Sequence, residues 1–358
     1  MSAPRTRERV TWSVALPEAD DGDLLAGPDG RVVVSTRRFL AVVRPPGTVE
    51  WLVERPVALL GAPVLLAGGA VSRFEDGAVV TRDGGAVVGN FPVAGPVAAV
   101  GDDLLCGDRT PPGPVLRRVG PDGTPRWSVP LVDRLFAAPV VLDDVVVVVD
   151  GPLLRGYDHG GTGRWIAGVQ GFGPPDGSPV GVADGMIRGA PTPLPDGRLV
   201  AEVAERHGYG LVLFDPAARE VVPLRPPIAV RPPLAVVPRG LAALGPAEEL
   251  ERGRWRWMVV LVDPSGTVLW SHRLDAEPIA LVPVAPDQVV VVSSPPLGRW
   301  EKYQGWFDLS AECVVRCLGA DGRPRWRWYP PIPLTYRPAA GPDGSIHVAG
   351  PGRLWTLH

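Results

Sequence analysis

Residues 121–127 read Pro121-Asp122-Gly123-Thr124-Pro125-Arg126-Trp127, and an apolar run, Val115-Leu116-Arg117-Arg118-Val119, stands just before them. Asp-Gly supplies the short polar side chain and the free backbone that a tight reversal needs, so the stretch predicts two antiparallel strands joined by a hairpin turn. The same arrangement returns along the chain. It is seen in Pro46-Gly47-Thr48-Val49-Glu50-Trp51, Gly161-Thr162-Gly163-Arg164-Trp165, Ser265-Gly266-Thr267-Val268-Leu269-Trp270 and Asp321-Gly322-Arg323-Pro324-Arg325-Trp326. Two degenerate copies end at Val88 and Val221, and Trp12 stands in what reads as the last half of another.

Between the landmarks at positions 12, 51, 88, 127 and 165 the step is 37–39 residues; through 221, 270 and 326 it lengthens to 49–56. A period of roughly 40–50 residues with four short strands in each is that of a propeller blade. One period shows the strands directly. After Trp127 come Ala137–Leu142, Val145–Asp150, Leu153–Asp158 and Arg164–Val169, separated by Asp-Asp, Gly-Pro and Gly-Gly-Thr-Gly breaks. After Trp326 only three strands follow before His358, and the N-terminal Arg9–Ala15 supplies the missing fourth. The expectation is an all-β, eight-bladed propeller with four-stranded blades, a single domain over residues 1–358. Its last blade is formed by 327–358 together with 9–15, which hides the edges an open sheet array exposes.

Composition agrees. The chain has 358 residues with 44 Gly and 44 Pro, yet 45% are hydrophobic, enough to bury a core between many turns. Formal net charge is −3, so neither nucleic acid nor an anionic membrane surface is expected as a partner. Cys106, Cys313 and Cys317 make no disulfide framework, and no pair of histidines has metal-ligand spacing, so no metal is expected. The N-terminus lacks the apolar core of a signal peptide and no long apolar stretch follows, which predicts a cytoplasmic protein, a monomer by itself.

The repeats resemble the tryptophan-docking repeats of the quinoprotein-like (PQQ-like) β-propellers, over nearly the whole chain. The resemblance implies that Trp51, Trp127, Trp165, Trp270 and Trp326 pack between adjacent blades as structural filler. It does not carry the family's redox chemistry across. Those enzymes place a quinone beneath a vicinal disulfide with calcium and a catalytic carboxylate, and this sequence has no Cys-Cys pair and no match for the calcium ligands. No cofactor is therefore expected. The family's role in outer-membrane barrel assembly requires an exported, lipid-anchored N-terminus, which is not read here either.

The pattern breaks where three consecutive blades lengthen. The extra residues fall in 169–188, 204–210, 247–254 and 295–312, and strand direction puts all four on one face, over blades five to seven. Loops of unusual length on a regular scaffold are where function is carried. The richest one holds Arg299, Trp300, Glu301, Lys302, Tyr303, Trp306, Phe307 and Asp308; with Arg206 its aromatic and Arg side chains have the composition of an interface or ligand wall. The leading expectation is a module binding a partner protein or a small-molecule ligand through Arg206, Arg299, Trp300, Glu301, Tyr303, Trp306 and Phe307. The alternative is a cofactor-independent lyase, cyclase or hydrolase of specialised metabolism using Glu205, His207, Tyr209, Lys302 and Asp308 as acid/base groups. A third is a structural subunit whose loops fill an interface.

Overall fold

In the computed structural model the fold is described for residues 9–19, 22–54, 63–66, 69–74, 77–82, 85–93, 95–108, 113–169, 171–173, 185–205, 208–224, 231–251, 254–274, 278–284, 287–293 and 313–358. These form eight β-sheets, each built on four antiparallel strands that follow one another in sequence in seven of them, and no α-helix is found among the described residues. The fold class is an eight-bladed β-propeller, as the repeat predicts. Two compact units are distinguished: Met1–Ala62 with Pro232–His358, and Pro63–Arg231.

In the first unit, blade 1 runs through Gly22–Ala26, Val32–Thr36, Phe39–Arg44 and Thr48–Glu54. Blade 6 is Arg231–Val237, Gly240–Glu251, Arg254–Val262 and Val268–Leu274, and blade 7 is Pro278–Pro283, Val289–Ser293, Val314–Leu318 and Pro324–Trp328. Blade 8 joins the two ends of the described chain: Ala339–Ala340, Ile346–Gly350 and Arg353–Leu357 are completed by Val10–Ala15, with Ser13 opposite Trp355. In the second unit, blade 2 spans Val64–Leu66 to Val87–Phe91 and blade 3 spans Val97–Val100 to Pro125–Pro130. Blade 4 spans Val140–Val141 to Gly163–Gly168 with a fifth strand, Gly171–Gly173, and blade 5 spans Gly185–Pro193 to Glu220–Leu224.

Position within the blade explains the sequence patterns. Second strands such as Val146–Asp150 and Val289–Ser293 are buried at every residue, which is why they read as unbroken valine runs. Outer strands alternate: Val10–Ala15 and Val268–Leu274 expose every second residue. The landmark tryptophan has a structural cause as well. The pairing of third and outer strands slips by one residue just before it, between Val42 and Val43, Arg118 and Val119, Leu261 and Val262, and Cys317 and Leu318. Such a bulge re-aims the next side chain. Trp127 then lies against Gly161 of blade 4 and Trp270 against Gly322 of blade 7; a Cβ on either glycine would come within 2.8 Å of the indole. Both glycines have positive φ, 88° and 72°, so the residue serves the turn and the ring at once. The Trp127 Nε1–H also donates to the His159 carbonyl at 2.9 Å.

Blade 2 departs from the expected register by one residue. Val80 pairs with Gly89, so Gly89 and not Val88 holds the tryptophan's ladder position, because the doubled Gly84-Gly85 adds a residue to the copy. The main chain of Pro121 occupies the space where a side chain on Gly89 would stand. One blade thus replaces an aromatic wedge with backbone from its neighbour.

Candidate functional site

The lengthened segments of blades 5 and 6 are not slack loops. In blade 6 the second and third strands pair from Leu241↔Val262 outward to Glu251↔Arg254, with slips at Pro246/Glu248 and Glu249/Glu251. The ladder places Glu248 opposite Arg256 and Glu251 opposite Arg254. In blade 5 pairing continues to Ala204↔Tyr209 and Glu205↔Gly208. The expected insertions 204–210 and 247–254 are therefore largely hairpin ladder. The expected connection 169–188 is shorter than read: Gly171–Gly173 pairs with the outer strand of blade 4, and Gly185–Pro193 is already the first strand of blade 5.

Among the expected site residues, Glu205 ends one arm of the blade 5 hairpin and Tyr209 lies opposite Ala204 on the other. Arg206 and His207 lie outside the described residues, as do Arg299, Trp300, Glu301, Lys302, Tyr303, Trp306, Phe307 and Asp308. The segment holding the last eight leaves blade 7 after Ser293 and returns at Val314, which are direct ladder partners. It therefore departs from and returns to one hairpin end.

The remaining titratable side chains with perturbed chemistry are structural. Burial pushes the Cys106 thiol up to about 12 and the Cys317 thiol up to about 11, which removes the thiolate a nucleophile needs. His347 is buried in blade 8, with Nδ1 2.8 Å from Thr356 Oγ1 and Nε2 3.4 Å from Ser345 Oγ, and burial drives it down to about 4. Asp29, Asp122, Asp158, Asp196, Asp263, Asp321 and Asp343 fall below the ordinary carboxylate range. Hydrogen bonds within their own turns lower them, as where Asp122 accepts from Thr124 Oγ1 and Asp263 from Ser265 Oγ. No group of three metal-ligating side chains is found among the described residues. No helix there is long and apolar enough to cross a membrane.

One arrangement was not legible in advance. Asp150 ends the second strand of blade 4 with no exposed surface, and its Oδ1 accepts from the N–H of Val132 at 2.7 Å and of Asp133 at 2.9 Å. Arg155 Nε lies 2.7 Å from Oδ2. Burial raises the Asp150 carboxyl above its usual range, while the two N–H groups and Arg155 favour the anion. In blade 8 the strand-end position holds Gly350, closely approached by the Pro333 carbonyl. Asp150 thus fixes the connection entering blade 4, whose outward-facing residues are Val132, Asp133, Arg134 and Phe136. The only signal available in sequence was an acidic residue closing an all-valine run.

No protein-family model and no curated protein matches the chain. Solved structures do. BamB from Moraxella catarrhalis superposes with a TM-score of 0.66 at 16% identity, over 98% of this chain and 97% of that one. AztD from Citrobacter koseri gives 0.59 at 13% identity, over 87% of each chain. A europium-containing methanol dehydrogenase gives 0.57 at 11% identity, over 95% of this chain and 84% of that one. At such identities the likeness establishes the fold alone, that of a β-propeller.

Proposed function

We propose that this protein is a binding module that docks a partner protein through the lengthened hairpin of blade 6 together with the sequence between Ser293 and Val314 of blade 7. The observation that carries the reading is the blade 6 hairpin. Its ladder runs from Leu241↔Val262 to Glu251↔Arg254, well beyond the length of the corresponding ladder in blade 4, Val146↔Tyr157 to Asp150↔Leu153. A hairpin longer than the blade repeat requires supports a purpose outside folding. The aromatic segment 295–312, which carries Arg299 beside Trp300, Tyr303, Trp306 and Phe307, has interface composition. The fold shared with BamB and AztD supports a binding or scaffolding role at the level of class.

Photo-crosslinking tests it. A benzophenone amino acid replaces Leu250, Trp300 or, as a control on an outer strand, Leu269. The expected result is one and the same protein captured from Leu250 and Trp300 and not from Leu269. Equal capture from all three positions, or none from the first two, rejects the proposal.

A further inference from the structure

The connection from blade 3 to blade 4 is short, and it is held more firmly than its length requires. Leu131 and Leu135 are buried in the core shared by these two blades, and Ala137 in the core that blade 4 shares with blade 5. The Leu131 N–H donates to the Pro114 carbonyl at 2.9 Å, and the next two N–H groups are taken by the buried Asp150 carboxylate. The Leu135 carbonyl lies against Gly95, where a Cβ would approach it to 2.8 Å. Within this clamped frame, Val132 is 67% exposed and Phe136 58%, the two most exposed large apolar side chains among the described residues. A chain minimising its exposed apolar surface would not fix a valine and a phenylalanine outward on a rigid turn.

The charged residues of the turn define what fits. Arg134 places its guanidinium carbon 4.3 Å from the centre of the Phe136 ring, stacking the cation on the aromatic. The Asp133 carboxylate is turned back to accept the Arg134 N–H at 2.7 Å. Among the described residues no carboxylate pairs with the Arg134 guanidinium, so its N–H fork remains available to an incoming anion. An apolar anchor next to a stacked Arg is the composition of an interface hot spot.

We infer that the Leu131–Ala137 turn is a preformed docking knob for a protein segment that presents apolar side chains beside a carboxylate, with Val132 and Phe136 as the apolar anchors and Arg134 as the acid receptor. The knob belongs to blades 3 and 4 and does not depend on the blade 6 and 7 hairpins. Because the clamp holds the turn before binding, little ordering entropy is lost on contact, which is how a small surface gains affinity.

Peptide selection tests this inference with defined probes. Random dodecapeptides displayed on phage are selected on the full-length protein, and recovered sequences are synthesised with a fluorophore for polarisation titrations. The expected outcome is enrichment of peptides pairing Leu, Ile or Phe with Asp or Glu. Their binding should weaken by roughly tenfold or more in Phe136→Ser, and by a smaller, salt-sensitive factor in Arg134→Gln. Val132→Ser should weaken it as well, and shortening the blade 6 hairpin should leave it unchanged. Phe136 is exposed, so an unaltered melting curve for Phe136→Ser verifies that the fold is intact. Recovery of basic or purely apolar peptides overturns the inference, as does equal affinity for wild type and Phe136→Ser. So does a concentration-dependent dimer abolished by Phe136→Ser, which makes the knob a contact between copies, or capture by anionic vesicles abolished by it, which makes the knob a membrane contact.

Discussion

The central hairpins of blades 4 and 6 are built from the same two strands of the repeat and end differently. In blade 4 the ladder runs from Val146↔Tyr157 to Asp150↔Leu153 and stops where the buried residues stop, at a carboxylate facing inward. In blade 6 it continues from Leu241↔Val262 through Pro246↔Trp257 to Glu251↔Arg254. Blade 4 devotes its polar chemistry to holding a neighbouring connection still. Blade 6 extends its ladder into a longer arm whose sequence is rich in charge. The repeat thus fixes where a hairpin begins, and the residues at the far end decide whether it serves the fold or projects from it.

The strongest way to break this comparison is at Asp150. Asp150→Ala leaves the Val132 and Asp133 N–H groups without their acceptor and Arg155 without its ion-pair partner, and is expected to destabilise the protein by about 3 kcal/mol, read from urea unfolding. A loss below about 0.5 kcal/mol, typical of surface changes, would mean that the carboxylate is not the clamp described.

A second expectation concerns blade 8. The folded His347 sits at about 4 against an ordinary value of 6.5, so the unfolded chain takes up a proton that the fold refuses. Stability from this group is complete above 6.5 and is lost progressively as pH falls toward 4, by up to about 3 kcal/mol. Asp343 is the charged neighbour that opposes the burial effect. The lowered turn aspartates act in a more acidic window, below 3.8, so the two are separable. His347→Gln should flatten the slope of unfolding free energy between pH 6.5 and 4; an unchanged slope would exclude the histidine as its source.

Smaller effects sharpen the role of the wedge. Gly161 and Gly197 both have positive φ, 88° and 84°, but Trp127 lies against the first and nothing lies within 4 Å of the second. Gly197→Ala should cost about 1 kcal/mol from backbone strain alone. Gly161→Ala should cost about 1 kcal/mol more, because the indole must shift. Equal melting temperatures for the two variants would show that the aromatic seat contributes nothing. The smallest effect is expected from replacing 247–254 with a two-residue turn, which should change stability by less than about 0.5 kcal/mol.

Much of this was legible because a tryptophan follows a bulge at the same ladder position in several blades. Trp51, Trp127, Trp270 and Trp326 share one register, and their spacing therefore reports the blades directly. Val88 misled by one residue, since the doubled Gly84-Gly85 is invisible to a count based on the aspartate. The charged run Glu248–Arg256 reads as a loop because its strands carry no apolar alternation; ladder pairing between opposite charges leaves no hydrophobic period to detect. Val132 and Phe136 were missed for the opposite reason. They sit in a connection of ordinary length, and an apolar residue there looks like core unless its neighbours' hydrogen bonds are known.

Pairing Val10–Ala15 with Arg353–Leu357 has a consequence for the order of folding. The two strands lie far apart in sequence, whereas Pro63–Arg231 is one uninterrupted stretch of chain. Closing so long a loop costs entropy before its contacts repay it, so this pairing belongs among the late events. Deleting Arg353–Leu357 would leave Val10–Ala15 with a bare edge.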